Sequence, residues 1–131
     1  MSVARALAIF SLSVAVLAAA GCEKPLKAPV ERAACWHMVG RIEEGVKFNK
    51  LPGSYQSLEF CAAAIEMVRL QGGRQQINGA YQGQFLFISS RGIYVGQRVD
   101  GPRYLALVHT GDGRLVIPGA IVRPQAPRLP Q

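Results

Sequence analysis

The sequence predicts an α+β domain in which one helix packs on an antiparallel sheet of four or five strands, with one disulfide bond between them. Three observations support this prediction. One segment has apolar residues at helical spacing and lies between a capping serine and two glycines. The segments around it are rich in β-branched and aromatic residues and are separated by turn residues. Two cysteines, Cys35 and Cys61, lie in the first strand-like segment and in the helix.

The helix is predicted to begin after Ser57 and to end at Gly72 and Gly73. Serine is a favourable N-cap, and Glu59 in the first turn interacts favourably with the helix dipole. Glycine commonly follows the last turn of a helix because it tolerates the left-handed conformation. These local signals make the helix the clearest element of the chain.

Helical spacing divides this segment into two faces. The face expected to pack on the sheet carries Leu58, Cys61, Ala62, Ile65, Met67 and Val68. The opposite face is expected to lie in solvent and carries Glu66, Arg69 and Gln71.

Strand-like segments precede and follow the helix, and the sheet of four or five strands is expected to form from them. The segment 79–88 ends in four consecutive apolar residues, which predicts a central strand buried on both faces. Thr110–Gly113 contains Asp-Gly between two apolar runs, which predicts a hairpin. The strand-like segments cover residues 35–42, 46–51, 79–88, 93–95, 104–109 and 114–117.

The first twenty residues have the organisation of an export signal. A positive start with Arg5 precedes an uncharged run from Ala6 to Ala20 that ends in small residues. This run of about 15 residues is shorter than the roughly 20 needed to span a bilayer, so a removed signal peptide is expected. Ordinary signal peptidase could cut after Ala18-x-Ala20 and leave a soluble secreted protein.

The run Leu17-Ala-Ala-Ala-Gly-Cys22 resembles the lipobox of bacterial lipoproteins. The resemblance implies cleavage before Cys22, lipidation of Cys22 and permanent attachment to a membrane. Glu23 follows the cysteine, and in such lipoproteins this implies outer-membrane sorting with the domain facing the periplasm. The inner membrane and secretion are the alternatives.

With Cys22 lipidated, Cys35 and Cys61 remain as an even pair in an oxidising compartment, where a disulfide is expected. Closing a loop of this length stabilises a fold by about 3.5 kcal/mol in the chain-entropy model. A metal site formed by Cys35, His37 and Cys61 is the alternative, although the spacing lacks the paired ligands of zinc modules. No metal or other cofactor is predicted.

Composition divides the chain into four parts. Residues 1–21 are the signal peptide, and residues 22–34, charged and containing prolines, are expected to form a flexible tether. Residues 35–122 are the α+β domain, and the proline-rich residues 123–131 are expected to be a disordered tail.

The chain is basic, with a formal net charge of +7. The arginines and lysines are scattered along the sequence and form no run, which is typical of a solvated surface. No nucleic-acid partner is predicted.

One candidate ligand groove is visible in the sequence. Tyr81, Gln82 and Gln84 lie between glycines at the entry to a strand, and together with Trp36 they could bind a glycan or a peptide. The alternative is structural: the glycines permit bulges and close packing, and Tyr81 is an ordinary sheet residue.

No nucleophile with a base, paired carboxylates or ligand cluster marks a catalytic site. His37 and His109 lie in predicted strands and are expected to be packed or surface residues. Enzymatic activity would require one of them to lie within hydrogen-bond reach of a carboxylate.

Beyond the lipobox, three motifs resemble small proteobacterial envelope lipoproteins of uncharacterised activity. They are Cys35-Trp-His37, the helix start Ser57-Leu-Glu-Phe-Cys61-Ala-Ala, and Gly79-Ala-Tyr-Gln-Gly-Gln-Phe85, which together span about 55 residues. The expected function is a membrane-anchored, non-enzymatic binding or envelope-assembly module that contacts an envelope protein or a glycan. An inhibitor of an envelope hydrolase and a soluble secreted binding protein are the alternatives.

Overall fold

The computed structural model describes residues 24–120. The signal peptide expected over 1–21, the lipidation expected at Cys22 and the tail expected over 123–131 lie outside the described residues. The described part contains one helix, α1, and seven strands. Their bounds are β1 Cys35–Arg41, β2 Gly45–Lys50, α1 Leu58–Gln71, β3 Gln76–Tyr81, β4 Gln84–Ser89, β5 Gly92–Gly96, β6 Tyr104–His109 and β7 Leu115–Val116.

All strand pairs are antiparallel, and the sheet order is β2-β1-β3-β4-β5-β6-β7. Strand β4 is therefore central, as predicted, and β2 and β7 form the two edges. The α+β class and the helix on an antiparallel sheet are confirmed. The predicted number of four or five strands is wrong, because the sheet has seven.

One source of the wrong strand count is the segment 79–88, which is not a single strand. It is divided by a tight turn at Gln82 and Gly83, and Tyr81 pairs with Gln84 across that turn. Both turn residues have positive φ, 45° for Gln82 and 81° for Gly83. Two-residue turns with this geometry match the right-handed twist of the strands that they join. Glutamine is an uncommon residue in this conformation, so the pattern lacks the usual Asn-Gly or Asp-Gly signal.

The sheet is buried on both faces. On the face that we call the helix face, α1 packs over a core that includes Ile65, Leu86 and Ile93. On the opposite face, which we call the back face, Phe85 and Phe87 form a second core. Alternate residues of β4 thus enter two different cores, which explains its unbroken apolar run.

The helix boundaries agree with the prediction. The backbone N–H of Phe60 donates to Ser57 Oγ at 3.4 Å, and the N–H of Gly72 donates to the Val68 carbonyl at 3.0 Å. Gly79 permits the close approach of helix and sheet: a Cβ there would overlap Ile65 Cδ1 and would lie 2.7 Å from the Trp36 carbonyl oxygen.

The predicted disulfide between Cys35 and Cys61 is confirmed. The two Cα atoms are 5.3 Å apart, and both residues are fully buried. The bond joins the first residue of β1 to the first turn of α1, so it fixes the helix to the sheet.

The N-terminal segment differs from the expected flexible tether, because part of it packs on the back face. Leu26 and Ala28 belong to the back-face core. The N–H of Gly83 donates to the Pro29 carbonyl at 2.8 Å, and the N–H of Tyr55 donates to the Ala33 carbonyl at 2.9 Å. The packed domain therefore begins near Leu26 and not at Cys35. Prolines and charged residues make up most of this segment, so its composition does not indicate that Leu26 and Ala28 pack on the back face.

Within residues 24–120, no helix combines the length and the apolar character needed to cross a membrane.

Candidate functional site

Three side chains of α1 have the reverse of their predicted burial, whereas Gln71 is exposed as predicted. Glu66 and Arg69, which were expected in solvent, are only 6% and 8% exposed. Met67, which was expected in the core, is 54% exposed, and Phe60 and Leu70 are 65% and 58% exposed. The prediction is wrong for both groups, and the two deviations define the features of interest.

The buried charges form one connected group. Arg69 donates from Nε to Glu66 Oε2 at 2.6 Å and from Nη2 to Glu66 Oε1 at 2.7 Å. Its Nη1 donates to the Arg74 carbonyl at 3.0 Å. His109 Nε2 lies 2.9 Å from Glu66 Oε1. The carboxylate therefore connects α1 to β6, and its partners compensate the cost of burying it.

The electrostatics keep Glu66 and Arg69 charged at neutral pH. Burial pushes the pKa of Glu66 upward, but the hydrogen bonds from Arg69 and His109 and the positive charge of Arg69 outweigh burial and leave that pKa below its usual value. The hydrogen bond to Glu66 raises the pKa of Arg69. Because an ionised carboxylate only accepts hydrogen bonds, Nε2 of His109 carries the hydrogen that it donates to Glu66.

The contact between His109 and Glu66 meets the distance that a catalytic pair requires, but its surroundings do not suit catalysis. Both carboxylate oxygens already accept hydrogen bonds. His109 Nδ1, the nitrogen that would have to reach a substrate, is buried without a hydrogen-bond partner in the described part of the chain. The group thus acts as a structural connection between helix and sheet.

The other histidine, His37, lies in β1 opposite Asn49 of β2 and Gly79 of β3. Burial lowers its pKa, and the nearby charge of Arg74 lowers it further. Its Nε2 is buried without a partner among residues 24–120. His37 is therefore a packed, neutral residue of the sheet.

Exposed apolar side chains line the outward face of α1. We call Phe60, Ala63, Met67 and Leu70 the apolar stripe; they recur at three- and four-residue steps along the helix. The stripe extends for about 15 Å, since a helix rises 1.5 Å per residue. The stripe borders a cleft of about 430 Å³, which we call the helix cleft and which is also lined by Glu59, Glu66, Gly113, Arg114 and Leu115.

The stripe was missed because sequence reasoning assigned the apolar positions to one face. The signal that could have revealed it is the composition of α1. Only Glu59, Glu66, Arg69 and Gln71 of its 14 residues are polar. A helix this apolar exceeds what one sheet face can cover, so some of its large side chains must remain outside.

The structure does not bring the four residues of the predicted groove together. Trp36 lies on the back face, where Lys50 Nζ is 5.8 Å from its ring centroid. Tyr81 lies on the helix face, is buried, and donates from its hydroxyl to the Tyr55 carbonyl at 2.9 Å. Gln82 donates from Nε2 to the Tyr81 hydroxyl at 3.2 Å, and Gln84 pairs with Tyr81 across the turn. The groove that included Trp36 is wrong, since Trp36 and Tyr81 are separated by the sheet.

A second cleft of about 420 Å³ opens beside the N-terminal segment, and we call it the back cleft. Sequence reasoning missed it because it combines three segments that are far apart in the chain. They are the start of the described chain, the β1–β2 hairpin and the loop between β5 and β6, which contribute Lys24, Pro25, Leu26, Ile42, Gly45, Val46, Arg98, Val99 and Asp100.

The alternative metal site at Cys35, His37 and Cys61 is not formed, because both sulfur atoms belong to the disulfide. Among residues 24–120, no three histidine, cysteine or acidic side chains are grouped as metal ligands.

No protein-family model matches the chain, and neither a curated protein nor a solved structure shows significant similarity to it.

Proposed function

We propose that this protein is a lipid-anchored, non-enzymatic binding module of the bacterial envelope that holds a partner protein on the apolar stripe of α1. The observation that carries this proposal is the exposure of Phe60, Met67 and Leu70 on one helix face. The anchor is supported by the resemblance of residues 17–22 to a lipobox. The buried His109 Nδ1 and the three hydrogen bonds that the Glu66 carboxylate already accepts favour binding over catalysis.

The chemistry of the stripe favours a protein partner over a glycan. Its four side chains carry no hydrogen-bond donor or acceptor, apart from the weakly accepting thioether of Met67. A glycan needs several such groups to orient its hydroxyls, whereas a contiguous apolar surface on a small domain is typical of protein contacts. The glycan-binding alternative therefore has less support than a protein partner.

The shape of the stripe favours a helical partner. Its length of about 15 Å corresponds to three helical turns, and the helix cleft runs beside it. An amphipathic helix can place its apolar face in such a cleft, with anchors at three- and four-residue spacing. We therefore assign the stripe to an amphipathic helix of an envelope protein. A hydrolase inhibitor, by contrast, has to enter a polar active site, for which this surface offers little.

Site-specific photo-crosslinking in the native host tests this assignment. Benzoylphenylalanine replaces Met67 in one variant and Asn49, an exposed residue of the opposite sheet edge, in the control. We expect an adduct only at position 67, joined to the apolar face of a helix in one envelope protein. An adduct to a second copy of this chain, to glycan strands or to a hydrolase active site would overturn the assignment, as would equal adducts at both positions.

A further inference from the structure

The packed N-terminal segment limits the distance between the domain and its proposed anchor. Leu26 follows Cys22 by four positions and is fixed in the back-face core. An extended chain spans at most about 3.5 Å per residue, so the Cα atoms of these residues lie within about 14 Å of each other. Lys24, only two positions from Cys22, lines the back cleft. The back cleft is therefore the part of the domain next to the anchor.

The surface around this cleft combines cations with apolar groups. Lys24 and Lys27 are exposed and have no carboxylate within 4.0 Å among residues 24–120. Arg98 Nε lies 3.3 Å from Asp100 Oδ1, and both side chains are exposed. Exposed pairs of this kind contribute little energy, so Arg98 can exchange its partner for a phosphate. Ile42, at the β1–β2 turn, is 52% exposed and adds an apolar contact.

Acidic side chains also lie at this surface and limit its positive charge. Glu43 and Glu44 occupy the β1–β2 turn, and Arg41 Nη1 is 3.9 Å from Glu44 Oε1. Lys24 and Lys27 lie two and five positions after Cys22, and Glu23, between Cys22 and Lys24, offsets one of their charges, so residues 23–30 carry a net charge of +1 next to the proposed anchor. Basic residues close to an anionic membrane surface each contribute favourable attraction.

We propose that the back cleft and the N-terminal segment rest on anionic phospholipid headgroups, with Lys24, Lys27 and Arg98 binding the phosphates and Ile42 entering the interface. This inference rests on the proposed lipid anchor at Cys22. It deepens the proposed function because the apolar stripe and the back cleft lie on opposite sides of the sheet. The bound orientation directs the stripe away from the membrane, where a partner protein can reach it.

Hydrogen exchange on vesicles tests the orientation. The mature chain from Cys22 is coupled to a maleimide lipid through Cys22, because the other two cysteines form the disulfide. Vesicles contain phosphatidylethanolamine with phosphatidylglycerol, or phosphatidylcholine alone. On the anionic vesicles we expect exchange in residues 41–46 and 97–101 to slow by about threefold or more, with α1 unchanged. Equal exchange on both vesicles, or slowing over α1, would overturn the proposal.

Charge-reversal variants separate headgroup contact from simple proximity. Lys24→Glu with Arg98→Glu should remove at least about half of the protection on anionic vesicles. The matched control, Lys47→Glu with Arg74→Glu, makes the same change in charge at two other exposed positions. This control should retain the protection from exchange on anionic vesicles. Equal protection in the two variants would contradict specific contact at the back cleft. Because the lipid is attached chemically, this result does not depend on whether the host lipidates Cys22.

Discussion

Nε2 of His109 lies 2.9 Å from Oε1 of Glu66, and this contact joins the end of β6 to the middle of α1. The same carboxylate binds Arg69 through both of its oxygens. The helix is therefore attached to the sheet at two places, through the disulfide at its N-terminal end and through these charges further along. This arrangement holds the apolar stripe in a fixed orientation.

Glu66→Gln is expected to destabilise the fold by about 3 kcal/mol or more, because it leaves the buried guanidinium of Arg69 without its counter-charge. Chemical denaturation measures the change. Glu59→Gln, on the exposed side of the same helix, is the matched control and should cost no more than about 1 kcal/mol, the loss of its interaction with the helix dipole. Equal effects of the two substitutions would show that the Glu66–Arg69 pair does not stabilise the helix packing.

The lowered pKa of Glu66 predicts a dependence of stability on acid. Its folded pKa lies below the value of about 4.3 for an unfolded chain, so its contribution is complete above that pH and is lost as the pH falls through the folded pKa. Denaturation between about pH 7 and about pH 3 should therefore show a steeper loss of stability for the parent protein than for Glu66→Gln. Parallel curves would contradict the assigned direction of the shift.

The disulfide is expected to contribute about 3.5 kcal/mol, the entropy of closing its loop. Replacing both Cys35 and Cys61 by alanine should lower the free energy of unfolding by roughly this amount, measured in denaturant without reductant. Treating the parent protein with reductant should have a similar effect and leave the double variant unchanged. A parent protein insensitive to reduction would contradict a stabilising role for the bond.

The lipid anchor predicts a specific mass for the protein isolated from membranes of its host. The mature species should begin at Cys22 and carry added acyl chains, and Cys35 and Cys61 should become alkylatable only after reduction. Intact mass spectrometry with and without reduction measures both. An unlipidated species that begins at Gly21 or another nearby residue would contradict the anchor while leaving the fold unaffected.

The sequence signals that proved accurate are local. Ser57 caps the start of α1 through its side-chain hydroxyl, Gly73 has a positive φ of 60° directly after the C-cap Gly72, and the cysteine count identifies the disulfide. The turn at Gln82 and Gly83 was missed because the same neighbouring apolar residues suit one long strand or two short ones. Only the pairing across the sheet distinguishes these arrangements.

The buried charges beside the apolar stripe were harder to predict, because they depend on contacts between residues far apart in the chain. Glu66 can be buried only because Arg69 and His109 satisfy its oxygens, and His109 is 43 positions away. With these charges inside, the helix presents Phe60 and Met67 to solvent. Met67 follows Ile65 by two positions, which at 3.6 residues per turn places it about 200° away around the helix, so its predicted place in the core rested on its apolar character and not on its spacing.

The central claim, that the apolar stripe binds a partner protein, is tested most directly by quantitative enrichment from crosslinked membranes. Met67→Glu places a charge in the stripe, and Asn49→Glu places the same charge on the exposed edge strand β2. We expect one envelope protein to be recovered equally with the parent and with Asn49→Glu, and to fall by about tenfold or more with Met67→Glu. The melting temperature should be the same for both variants. Equal recovery with both variants would contradict the claim.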